Sequence, residues 1–184
     1  MPNLYRNAVI LGACLLAAAC TDDKAGADAV ATPPAPAADA ASAPDAAPAP
    51  VTIAGWSGSL DGLGESQLCA LDAVNGVPAT DATFTIQAGQ PATFEGWAAM
   101  TNLDNPGAMS IILDGAEDFK ISANTGVSRD DVATAYNSTK LSTAGFKAEV
   151  ANLAVPAGDY QVVIEHLEAG ASVICRPNLR VVAN

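Results

Sequence analysis

The segment Tyr160-Gln-Val-Val-Ile-Glu-His-Leu167 carries the strongest β-strand pattern of the chain. The turn Val155-Pro-Ala-Gly-Asp159 stands directly before it, and β-branched residues favour its extended backbone. A run this short, bounded by turn residues, is typical of a strand rather than of a buried helix. We therefore expect a sheet to be built around this segment.

Further strand patterns flank this segment, separated by turns rich in glycine, proline and asparagine. They cover residues 83–87, 92–100, 108–113, 118–123, 145–153, 171–175 and 178–182. Gly96 is a candidate β-bulge within its strand, and Trp97 is expected in the core. Helical signal is limited to Ser128-Arg-Asp-Asp131, which is expected to cap a short helix through Tyr136. About eight short strands predict an all-β domain, an antiparallel immunoglobulin-like β-sandwich, with a small barrel as the alternative.

The N-terminus carries an export pattern. An apolar run at residues 8–19 follows one positive charge at Arg6 and ends at Cys20. It has the length of a secretory signal and is too short to span a membrane as a helix. The run resembles the lipobox of bacterial lipoproteins, which implies a signal peptide at 1–19 and a lipid, such as palmitate, on Cys20. Cys14 is the competing lipid site, and cleavage after Ala19 without lipid is the other alternative.

Residues 20–50 are rich in alanine and proline and contain no aromatic residue. Proline blocks a helix and the segment offers no core, so a disordered tether is expected between the anchor and a folded domain at 51–184. Thr21 follows Cys20 where retained lipoproteins carry aspartate, and the resemblance therefore implies the outer membrane, on its periplasmic or surface face. The membrane is thus a predicted partner through the lipid.

Charge and cysteine content restrict the chemistry. The net charge of −12 disfavours nucleic acid as a partner, because no basic patch neutralises phosphates. Cys69 and Cys175 are predicted to form a disulfide in an oxidising periplasm; the link would close a loop of about 105 residues and stabilise by roughly 4 kcal/mol. Two cysteines and the single His166 make a poor metal set, so no metal and no cofactor is predicted.

Several short motifs resemble one family of modules. They are the runs Gly96-Trp-Ala98, Leu113-Asp-Gly115, Arg129-Asp-Asp-Val132, Gly145-Phe146 and Pro156-Ala-Gly-Asp-Tyr160. Together they are similar to the accessory β-sandwich modules found beside bacterial glycosyltransferases and in cell-surface proteins. The third run lacks the proline of that family. The resemblance implies a non-catalytic module, with a glycan as its candidate ligand.

Candidate site residues are few. Trp56, Arg129, Asp130 and Asp131 are the candidate binding residues: the tryptophan as a stacking platform, the charged three as a recognition surface or as an ion pair that pins their loop. His166 is expected to be a strand side chain rather than a catalytic base, and no catalytic residue is predicted.

Two acidic runs are interpreted as turns. The carboxylates at 114–118 could hold calcium, but Asp-Gly forms a hairpin turn without a metal. Residues 61–65 are likewise interpreted as a turn.

The sequence favours an envelope lipoprotein with a binding or structural role and no enzymatic activity, its partner a glycan or an envelope protein. Two alternatives stay open: an envelope enzyme with an unrecognised site, and an inhibitor or immunity-type protein that binds a partner enzyme.

Overall fold

The structure, a computed structural model, describes residues 51–80 and 83–184. The predicted signal peptide, the lipid site at Cys20 and the Ala/Pro tether lie outside these residues. The described chain forms twelve strands, one α-helix (α1) and one 3-10 helix. The strands are β1 (Ile53–Trp56), β2 (Gly64–Ser66), β3 (Cys69–Val74), β4 (Val77–Pro78), β5 (Thr83–Ile86), β6 (Ala92–Ala98), β7 (Ala108–Asp114), β8 (Asp118–Val127), β9 (Gly145–Val150), β10 (Gly158–Glu168), β11 (Ala171–Cys175) and β12 (Arg180–Ala183). The helix α1 spans Asp130–Ala135 and the 3-10 helix spans Thr139–Thr143.

The strands form one curled, open sheet, a half-barrel. Its order is β2-β11-β10-β7-β8-β9-β6-β3-β4, with β1 beside β8, β12 beside β10 and β5 beside β12. The long strand β8 makes the curl continuous, because its first part pairs with β7 and its last residues pair with β9. Two pairings, β2 with β11 and β5 with β12, are parallel, and the others are antiparallel.

The all-β prediction is confirmed. The immunoglobulin-like sandwich stays a prediction, since the sheet follows one continuous curl. Four strands, β1 to β4, were not predicted.

The bulge expected at Gly96 lies in the facing strand instead, between Leu71 and Ala73, and Gly96 leaves room for the carbonyl oxygen of Ala70. Arg129, not Ser128, precedes α1, and no side chain caps the helix.

The main core fills the concave side of the curl. Every second residue of the long strands points inward, as the two-residue period of a strand requires. The largest fully buried side chains there include Phe94, Ile111, Ile121, Phe146 and Ile164. Burial of each such side chain contributes about 1.5–3 kcal/mol, so this cluster is the main source of stability.

The predicted disulfide between Cys69 and Cys175 is present, with 6.2 Å between the two Cα atoms. Cys69 begins β3 and Cys175 ends β11, two strands that lie near opposite ends of the strand order. The disulfide therefore closes the open seam of the half-barrel.

Two smaller apolar clusters lie on the convex side of the curl. Trp97 is buried as predicted, but it packs under α1 and the 3-10 helix with Val132 and Leu141, outside the main core. On the other half, the segment from β1 to β2 places Leu60 and Leu63 over Ile112 and its neighbours. Among the described residues, no helix is long and apolar enough to cross a bilayer.

Candidate ligand-binding face

The candidate site is a shallow trough on the convex face of β7, β8, β10 and β11. Its volume is about 470 Å³, and its central residues are Ser110, Lys120, Ser122, Glu165 and Ser172. We call this group the serine trough. It adjoins the apolar patch that Leu60 and Leu63 cover, on the same strands, and is itself uncovered by any described segment.

Strand register brings these side chains together. Ser110 of β7 lies opposite Ser122 of β8 on one side and opposite Glu165 of β10 on the other. Residues directly opposite in an antiparallel pair share a face and have Cβ atoms about 5 Å apart. Three consecutive strands therefore present a polar row, two members of which are small enough to leave a depression.

The charges in the trough neutralise each other. Lys120 Nζ lies 2.6 Å from Glu165 Oε2, and the hydroxyl of Ser172 donates to Glu165 Oε1 at 2.8 Å. Burial works to raise the pKa of Glu165, but the hydrogen bonds from Lys120 and Ser172 outweigh it and lower that pKa. Glu165 is therefore a carboxylate at neutral pH, and its pair with Lys120 carries no net charge.

Ser110 and Ser122 keep hydrogen-bonding capacity. Within the described residues, only Nδ1 of His166 is a fully buried side-chain polar atom without a partner. Ser110 is 8% exposed, and none of the described side chains or backbone groups bonds its hydroxyl, so that hydroxyl faces the trough. A ligand that supplies hydroxyl or amide groups would satisfy it.

Trp56 borders the apolar end of this face. Its half-buried ring packs against the backbone of Gly58 and over the cluster that contains Ile112 and Val163. Lys120 Nζ lies 5.9 Å from the ring centroid, within the range of a cation–π contact. The ring thus positions Lys120, and only its remaining exposed part is free to contact a ligand.

Arg129, Asp130 and Asp131 lie elsewhere, at the start of α1. The guanidinium of Arg129 donates from Nε and Nη2 to both carboxylate oxygens of Asp131, at 2.8 and 2.7 Å, and from Nη1 to Asp72 at 2.5 Å. The hydrogen bond from Arg129 is the main cause that lowers the pKa of Asp131 to about 2. This geometry pins the loop to β3. Arg129 lines one groove, and Trp56 lines a separate groove beside the hairpin between β7 and β8. The structure therefore does not bring the four predicted residues together.

The acidic run at 114–118 forms the hairpin turn between β7 and β8, where Asp118 accepts the backbone N–H of Gly115 at 3.2 Å. Within 51–80 and 83–184, no three His, Cys, Asp or Glu side chains are grouped to hold a metal ion.

Sequence reasoning missed the serine trough, although the alternation at 118–124 places Lys120 and Ser122 on one face.

Comparison of the chain with protein-family models, with curated proteins and with solved structures gives no match. The resemblance to bacterial lipoproteins and to accessory β-sandwich modules therefore stays a prediction.

Proposed function

We propose that this chain is a lipid-anchored protein of the bacterial outer membrane whose domain binds a neutral glycan non-catalytically in the serine trough. The finer fold assignment, an immunoglobulin-like sandwich, belongs to the same proposal. The observation that carries the binding role is the pair of serines, Ser110 and Ser122, which lie opposite each other in a depression that no described segment covers.

The shape of the trough supports an elongated ligand that lies flat across strands. Ala108, Ser110 and Ser122 are small, whereas Lys120 and Leu167 rise beside them. Leu167 is 59% exposed and offers an apolar surface at the side of the trough. The apolar face of a sugar ring would cover Leu167 while the ring hydroxyls pair with the serines.

The balance of charge supports a neutral ligand. Lys120 is the one described cation in the trough, and Glu165 already neutralises it at 2.6 Å. An anionic sugar would have to compete with that pair, and the surplus of acidic residues in the chain would repel it. Hydrogen bonds without charge complementarity then remain the source of affinity.

The test is binding of the full chain, exported and purified in detergent, to an array of neutral and acidic bacterial glycans. The variant Ser122→Tyr fills the trough from an exposed strand position, and Thr85→Tyr introduces a tyrosine at an exposed position on β5, away from the trough. We expect neutral glycans to bind, Ser122→Tyr to lose at least about tenfold in affinity, and Thr85→Tyr to bind as the parent does.

Equal binding by both tyrosine variants would contradict the proposed site. Turnover of a glycan would favour an enzyme instead. Capture of a basic envelope enzyme, with no glycan bound, would favour the inhibitor alternative.

The anchor has its own test. Labelling of the growing cells with palmitate should mark the parent chain and Cys14→Ser but not Cys20→Ser, because the h-region length favours Cys20. An unmarked parent chain would overturn the lipid anchor, and a label that follows Cys14 would move it.

A further inference from the structure

His166 is the most buried titratable side chain on β10. Its side chain is 0% exposed, its Nε2 lies 2.9 Å from Glu168 Oε1, and its Nδ1 has no partner within the described chain. A carboxylate only accepts hydrogen bonds. Nε2 therefore carries a hydrogen and donates a hydrogen bond to Glu168. This contact fixes Nε2 as the donor atom of the ring.

Glu168 extends this contact to a loop from another part of the sheet. Its Oε1 accepts the backbone N–H of Thr101 at 2.9 Å, and its Oε2 accepts the Thr101 hydroxyl at 2.7 Å. Thr101 follows β6, which stands next to β3 in the strand order, whereas Glu168 ends β10, next to β11. The hydrogen-bonded series His166–Glu168–Thr101 therefore crosses the same seam as the disulfide.

Glu168 is the carboxylate that links this hydrogen-bonded series. Opposite His166 stand Met109 of β7 and Val173 of β11, neither of them titratable. Glu165 is the other carboxylate on β10 near the ring, and Lys120 pairs with it. In the loop of Thr101, the titratable group is Asp104, and Lys140 lies 2.5 Å from it.

We propose that His166, Glu168 and Thr101 form a proton-sensitive latch that holds the loop between β6 and β7 across the seam of the half-barrel. The ionised carboxylate of Glu168 takes three donors at once. Protonation removes the charge that strengthens all three hydrogen bonds. A proton on Oε1 would also oppose the Thr101 N–H and the Nε2–H of His166, whereas a proton on Oε2 would reverse the hydrogen bond with the Thr101 hydroxyl. Nδ1 of His166 has no partner within the described chain, so Nε2 is the ring atom through which His166 supports the latch.

The direction of the pH dependence follows from Glu168. Burial works to raise its pKa, but the hydrogen bonds from His166 and Thr101 outweigh it, so its pKa lies below the usual value. A carboxyl with a lowered pKa stabilises the folded state above its unfolded pKa, and that contribution is lost as the pH falls through the folded pKa. The latch is thus closed at neutral pH and opens in acid.

The experiment measures hydrogen exchange of single amides by NMR on the full chain in detergent micelles, between about pH 7 and about pH 3, a window that spans the carboxyl range. We expect the protection factor of the Thr101 amide to fall about tenfold or more across the window, as loss of a hydrogen bond to a charged group predicts. The Ala99 amide, which donates to the carbonyl of Leu68 at 2.9 Å, reports whether the body stays folded.

Glu168→Gln removes the titrating group, and Glu117→Gln makes the same change at an exposed position in the hairpin after β7. Thr101 protection should be independent of pH in Glu168→Gln and should follow the parent in Glu117→Gln. A pH-independent Thr101 amide in the parent chain, with Ala99 protected throughout, would overturn the latch. So would a parent-like pH dependence in Glu168→Gln.

Discussion

Replacing Cys69 and Cys175 together by alanine removes the covalent closure of the seam. The two cysteines are separated by 106 residues, so the disulfide restricts nearly the whole domain in the unfolded state. In the chain-entropy treatment a loop of this length is worth roughly 4–5 kcal/mol at 25 °C. We expect the free energy of unfolding to fall by about that amount.

A loss of this size is large beside the 5–15 kcal/mol of a typical domain. Urea unfolding, followed by tryptophan fluorescence, measures it directly, and a stabilising osmolyte preserves the folded baseline of the variant. The slope of the free energy against urea should rise in the variant, because the unfolded chain without the link exposes more surface.

Each single variant, kept in reductant, supplies a control. Cys69→Ala and Cys175→Ala both break the same link, so each should cost nearly as much as the double change. The reasoning is refuted if the double variant loses less than about 1 kcal/mol, since the seam would then be held by the remaining contacts alone.

Three further changes test the packing and the electrostatics. Gly96→Ala should cost about 1–3 kcal/mol in urea unfolding, because its Cβ would collide with the backbone oxygen of Ala70; Gly55→Ala, where space is open, should be neutral. Stability should fall as the pH drops through the lowered pKa of Glu165, and Glu165→Gln should flatten that fall; equal pH profiles would contradict the pairing. Arg129→Lys should cost about 0.5–1 kcal/mol by losing its paired contacts, and an unchanged urea midpoint would show that they contribute nothing.

The strands that sequence reasoning found are those whose side chains alternate or stay apolar over at least four residues. The ends of β5 and β11 were predicted to within one residue. The observed β10 is longer than its predicted strand by a few residues. β2 and β4 were missed because they are only three and two residues long. β3 was missed because the bulge between Leu71 and Ala73 breaks its alternation.

The disulfide was predictable because the predicted export signal accounts for Cys14 and Cys20 and leaves Cys69 and Cys175 as the remaining thiols. The serine trough was not predictable, because it depends on the register between neighbouring strands. Ser110 reads as a minor interruption of an apolar strand, and only pairing with Ser122 and Glu165 gives it chemical meaning. The sequence left Arg129 open between a recognition surface and an ion pair that pins its loop; the structure places Asp131 and Asp72 beside it as ion-pair partners.

A polar sheet face is ordinarily exposed to solvent and binds no ligand. The composition of the serine trough must therefore distinguish a ligand-binding face from a solvated face. Exposed strand positions favour β-branched and aromatic residues, which fit a pleated surface; serine does not gain from that fit. Yet Ser110 and Ser122 stand side by side in the centre of the sheet, and Ser110 is 8% exposed, with its hydroxyl unpaired within the part of the chain that the structure describes. A purely solvated face gains nothing from a small, nearly buried hydroxyl. A face that receives a ligand needs depth and a free hydrogen-bonding group at its floor, and Ser110 supplies both.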